Sequence, residues 1–143
     1  MKVEGSYTFD APRDRVWSML MQPEGLQACI PGCENLNTVG EDQYEAQMKV
    51  GVAAIRGSYK GKIRITDKVE PESYKLLVEG SGGPGFVRGE ATIALVDQGE
   101  TTQVNVHGDG QVGGTVAGVG QRMLGGVAKM LMGQFFECLK KQL

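Results

Sequence analysis

Few residues in this 143-residue chain are equipped for catalysis, and counting them excludes most enzyme chemistries. His107 is the only histidine. With Asn105 and Asp109 it repeats at period two, on one face of an expected strand. Acyl chemistry would also need a positioned nucleophile, and no Gly-x-Ser-x-Gly elbow is present. His107 therefore reads as a polar strand residue. Cys29 and Cys33 have the wrong spacing for a zinc knuckle, and no second Cys or His pair completes four ligands, so no metal site is expected. Pro31 and Gly32 between them favour a tight turn with structural cysteines. Three cysteines, an odd number, in a chain without an export signal argue against a disulfide framework.

Two stretches spell G-x-G-x-x-G, Gly80 to Gly85 and Gly108 to Gly113. That motif receives pyrophosphate only when it follows a strand and opens the helix of a parallel βαβ unit. The first contains Pro84 and leads into a strand. The second precedes a helix that no further strand follows. Neither suits a dinucleotide, no cofactor is expected, and glycines so placed let strands bend or let a ligand approach the backbone.

Apolar alternation is the sharper signal. Tyr44, Met48 and Val50 share one strand face, as do Tyr59, Ile63 and Ile65, then Leu76 and Val78, then Ile93 and Leu95. Opposite them a C-terminal helix offers Met123, Val127, Met130 and Leu131. Methionine adapts to irregular apolar shapes, so these residues are expected to line a pocket for a lipophilic small molecule. Charge is segregated as well: from residue 116 onward Arg122, Lys129, Lys140 and Lys141 face a single acid, Glu137, in a chain of net charge −2. Lys60, Lys62 and Arg64 recur on one strand face as a solvated stripe. On a wheel whose apolar stripe is centred near Leu131 and Cys138, Phe136 falls about 150° away. Phe136 and Met132, ringed by Arg122, Lys129 and Lys140, are thus expected to touch an anionic membrane surface or a partner protein.

These residues need elements to position them. Lys2 to Phe9 alternates as a strand. Asp10 reads as the N-cap of a short helix carrying Val16, Trp17 and Leu20, with Pro12 in its first turn. Trp17 and Tyr7 are expected to be structural anchors. A second short helix spans Pro23 to Ala28. Six strands follow, over Asn35 to Val39, Tyr44 to Val50, Ser58 to Val69, Ser73 to Gly80, Phe86 to Val96 and Thr102 to Val112, joined by Gly-, Pro- and Asp-rich turns short enough to require antiparallel neighbours. Thr115 to Leu143 is expected as one long helix, with Val116, Val119, Met123, Val127, Leu131 and Cys138 on one side. The order gives an α+β fold of one domain over residues 1–143, a curved antiparallel seven-stranded sheet covered by that helix. The balance of 41% hydrophobic and 22% charged residues is that of a globule. The slight negative charge speaks against a nucleic-acid partner. No apolar run approaches the ~18 residues of a membrane span, so a cytoplasmic protein is expected.

Three blocks of the chain resemble a known family: Ala11-Pro12-Arg13-Asp14-Arg15-Val16-Trp17, Cys29-Ile30-Pro31-Gly32-Cys33-Glu34, and the stretch from Val112-Gly113-Gly114 through Gly118 to Leu124 and on to Phe135-Phe136. The family is that of the G subunit of aerobic carbon monoxide dehydrogenase, within the START-like (SRPBCC) helix-grip superfamily. The resemblance implies a non-enzymatic accessory protein with a cavity for a lipophilic molecule such as a quinone. It also implies a role in maturation, quinone coupling or membrane recruitment of a molybdenum hydroxylase. Many members continue past the long helix into a linker and an apolar tail, whereas this chain stops at Leu143, so contact with the membrane is expected to be peripheral. A polyketide cyclase-like enzyme would need ionisable groups among the inward positions. A protein-interaction module would have a filled core.

Overall fold

The structure is a computed structural model that describes residues 1–52 and 55–143. Its elements run β1 (Lys2–Phe9), α1 (Arg13–Leu20), α2 (Pro23–Cys29), β2 (Cys33–Gly40), β3 (Gln43–Val50), β4 (Gly57–Val69), β5 (Ser73–Gly82), β6 (Gly85–Asp97), β7 (Thr102–Gly113), a 3-10 helix (Thr115–Val119) and α3 (Gln121–Lys140). The seven strands form one antiparallel sheet in the order β1-β7-β6-β5-β4-β3-β2. Each short turn joins neighbours, and the two helices after β1 carry the chain to the far edge. The expected α+β helix-grip architecture is present, with every strand in its expected place.

Two local expectations are corrected. Asp10 is not the cap of α1: Pro12 holds that position in extended conformation with no side-chain capping bond, and the helix starts at Arg13. The C-terminal segment is two pieces, because Gly120 at φ +96° breaks the chain between the 3-10 helix and α3. A left-handed φ of that kind suits only glycine without strain.

The sheet's inner face divides into a closed and an open end. At the closed end α1 and α2 lie over it, and Trp17, Leu20, Tyr44, Ile65, Tyr74, Ile93, Leu95 and Val104 are buried together. Trp17 meets Tyr74 edge to face at 5.5 Å. Thr102, the buried polar residue of this core, donates from Oγ1 to the Ala11 carbonyl at 2.8 Å. At the open end the inward residues Met48, Tyr59, Val78, Val87 and Val112 are only half-buried.

Candidate functional site: a glycine-floored cleft under the C-terminal helix

Strand register assembles the site. Tyr44, Ile63, Val78, Gly89 and Gly110 form one inward row across β3 to β7, and Ala46, Gly61, Gly80, Val87 and Val112 form the next. Glycine at four of these ten positions strips the centre of the sheet of side chains. A Cβ placed on Gly61, Gly80 or Gly89 would meet only ordinary contacts at 3.5 Å or beyond, so each position has room for a side chain. By contrast, a Cβ on Gly5 would lie 2.8 Å from Met132 Cε and from Tyr7 Oη, which marks where α3 rests on β1.

The helix rests there and leaves the centre uncovered. Phe136 is buried and stacks on Tyr7 with ring centroids 4.4 Å apart, meeting Phe9 edge-on at 6.1 Å. The N-terminal half of α3 stands instead over a cleft of about 980 Å³. Val78, Gly89, Gly110 and Val112 line it from the sheet, Ala117, Gln121 and Leu124 from the helical layer, and Met1 from the end of β1. Backbone and side chains around Glu79, Arg88, Glu90 and Asp109 complete its rim.

The ligand residues expected from sequence are thus dispersed. Met48, Tyr59, Ile63, Leu76 and Val78 share the inner face and stay half-buried, while Tyr44 and Ile93 are sealed into the closed core. On α3, Val127 and Leu131 are half-buried, but Met123 and Met130 are 57% and 44% exposed and do not face the sheet. The buried arc of α3 is set by Leu124, Leu139 and Phe136. The expected outward placement of Phe136 is therefore corrected: β1 covers it. Met132 packs against the same core, and Lys140 pairs with Glu137 at 3.0 Å and sits 5.9 Å from the centre of the Phe9 ring. Arg122 and Lys129 remain exposed.

A third correction concerns sulfur. Cys29 and Cys138 are joined in a disulfide, their Cα atoms 5.4 Å apart, tying the end of α2 to the last turn of α3. Cys33 is a free thiol, which burial pushes up in pKa, and it donates to the Asn35 carbonyl at 3.4 Å. Gly32, at φ +78°, makes the turn before it with its backbone against the Lys49 carbonyl.

Ionisable groups lie on the outer face. Glu45, Lys62, Glu79 and Arg88 stand side by side across four strands, with Arg88 Nε 3.5 Å from Glu79. Of the exposed Lys60, Lys62 and Arg64 stripe, Lys62 stands between the acids Glu45 and Glu79, while Lys60 and Arg64 have uncharged cross-strand neighbours. His107 is exposed and its Nδ1 lies 3.0 Å from Glu4. Inside, burial raises the pKa of the Tyr59 phenol, whose hydroxyl donates to the Ile55 carbonyl at 2.7 Å. Among the described residues, no three His, Cys, Asp or Glu side chains gather as a metal site would require.

A family model for the G subunit of carbon monoxide dehydrogenase (CoxG) matches residues 5–143. The chain belongs to the CoxG family. A conserved protein from Geobacillus kaustophilus is similar to this CoxG family member at 45% identity, covering 99% of this chain and 94% of that one, with a TM-score of 0.97. A START superfamily protein from Mycobacterium smegmatis is 14% identical over 99% of this chain and 95% of its own, with a TM-score of 0.77. A Thermus thermophilus protein is 15% identical over 99% and 95%, with a TM-score of 0.72. These two likenesses establish the START-like fold. No match to a curated protein was found.

Proposed function

We propose that this CoxG family member is a non-enzymatic carrier that holds a lipophilic small molecule between its sheet and α3 in the service of a carbon monoxide dehydrogenase-type molybdenum hydroxylase. The observation that carries the reading is the cleft under α3, whose floor is bare of side chains at Gly89 and Gly110 and is bordered by half-buried Val78 and Val112. None of these inward side chains carries a charge. That supports a neutral apolar occupant such as a quinone, and it disfavours the cyclase-like alternative, which needs acid–base groups there.

Membrane contact in this reading passes to other residues than the wheel indicated. Met123 and Met130 are exposed on the side of α3 opposite the buried arc, and the exposed Arg122 and Lys129 precede them in the chain, about 100° round the helix. Apolar tips flanked by cations suit a peripheral hold on anionic lipid. Among the described residues, no helix is long and apolar enough to cross a membrane.

The decisive experiment fills the floor. Gly89→Leu and Gly110→Leu place side chains into the cleft at positions where a Cβ meets nothing nearer than 3.5 Å, so each should keep the fold while lowering uptake of a fluorescent apolar probe or a short-chain quinone by tenfold or more. Undiminished uptake by both variants removes the carrier reading. Co-sedimentation of Met123→Asp/Met130→Asp with acidic vesicles tests the membrane contact separately: wild-type binding at low salt would discard it.

A further inference from the structure

The disulfide sits where it would control α3. The C-terminal half of that helix is held twice, by the Phe136 stack on β1 and by Cys138 to α2. Its N-terminal half has a single buried residue, Leu124. Gly120 interrupts the chain before that half, and within it Met123, Lys129 and Met130 are exposed. The two sulfurs are also unequal. Cys29 is 4% exposed, whereas Cys138 is partly open to solvent. Gln142 lies over Gly25 and donates from Nε2 to the sulfur of Cys29 at 3.3 Å.

We propose that Cys29–Cys138 is a redox-modification site with a fixed polarity, opened by dithiols at Cys138, that latches α3 over the cleft when oxidised and lets it rock about Phe136 when reduced. In the first step a thiolate of the dithiol attacks Cys138 Sγ, forms a mixed disulfide there and expels Cys29 as a thiolate. Gln142 stabilises this leaving group by its N–H. The second thiol of the reagent then displaces Cys138. The dithiol ends as a disulfide, two electrons pass to the protein, and two protons complete the two cysteine thiols. Cys33 does not compete, because its thiol is kept protonated by burial and bonded to the Asn35 carbonyl. Cysteine pairs that open and close in this way are the kind tolerated where small thiols are abundant. The consequence for the cleft rests on the carrier reading above, while the chemistry and the motion do not.

Three measurements test the proposal on the full chain. Glutathione is used to trap the mixed disulfide, which peptide mass spectrometry should place on Cys138. Reduction by dithiothreitol, followed by alkylation and mass, should be roughly tenfold slower in Gln142→Ala, the scale of one hydrogen bond to a charged sulfur. Amide hydrogen exchange over residues 121–131 should be several-fold faster in the reduced protein, and Cys29→Ser/Cys138→Ser should match the reduced form. An adduct on Cys29, or an unchanged rate in Gln142→Ala, overturns the polarity. Equal exchange in the two redox states overturns the latch. Faster exchange without binding of an apolar probe in either state upholds the latch and removes the carrier reading instead.

Discussion

Phe136 is the residue on which the first and last elements meet, with Tyr7 stacked on one side and the edge of Phe9 on another. Phe136→Ala should therefore cost about 3–5 kcal/mol, as truncations of fully packed phenylalanines do, and urea denaturation would record it. A loss under about 1 kcal/mol would mean that the helix is held elsewhere. The helical wheel misplaced this side chain for a traceable reason. Val116 and Val119 belong to a 3-10 helix of three residues per turn, and Gly120 resets the phase before α3 begins. The stripe drawn from sequence is thus centred on Leu131 and Cys138, which are only half-buried, rather than on the arc that Leu124, Phe136 and Leu139 set. Trp17 and Tyr7, read as anchors from size and context, do pack as anchors, because a large aromatic ring in a short element has few places to go.

At the scale of elements, the strands were legible because alternation of apolar and polar residues is a direct image of a sheet with one covered face. The cleft was legible only as an inward face. Which glycines serve close packing and which open space depends on what stands opposite, and composition does not encode that. Gly5 and Gly80 separate the two cases. Gly5→Ala forces a Cβ to within 2.8 Å of Met132 and Tyr7 and should destabilise by about 1–3 kcal/mol, whereas Gly80→Ala meets only a carbonyl at 4.0 Å and should be neutral or mildly stabilising. Thermal melts of the pair decide it: equal effects would mean that α3 does not rest on β1. The disulfide was hidden for a similar reason. An odd cysteine count says nothing of two sulfurs 109 positions apart brought together by α2 and α3.

For the molecule as a whole, all four tyrosines, Tyr7, Tyr44, Tyr59 and Tyr74, have phenols whose pKa is raised first of all by burial. Each folded phenol resists ionisation that the unfolded chain undergoes near pH 10. The stability they share is thus complete below about pH 10 and is lost as pH rises toward the folded values. Alkaline unfolding should set in just above pH 10 together with the tyrosinate absorbance, and Tyr74→Phe should weaken the pH dependence. Tyrosinate appearing well before unfolding would contradict this. The sheet order has a different consequence, for synthesis. Ser6 on β1 bonds to Asn105 on β7, 99 positions later. At roughly 5–20 residues per second, β1 leaves the ribosome about 5–20 s before its partner exists, and the helix that seals Tyr7 and Phe9 arrives later still. During that interval β1 is a lone strand with an apolar face and two unsatisfied edges, the form most prone to pair with the wrong chain. Its outward Lys2 and Glu4 put charge on this strand, the kind of residue that discourages pairing at an exposed edge.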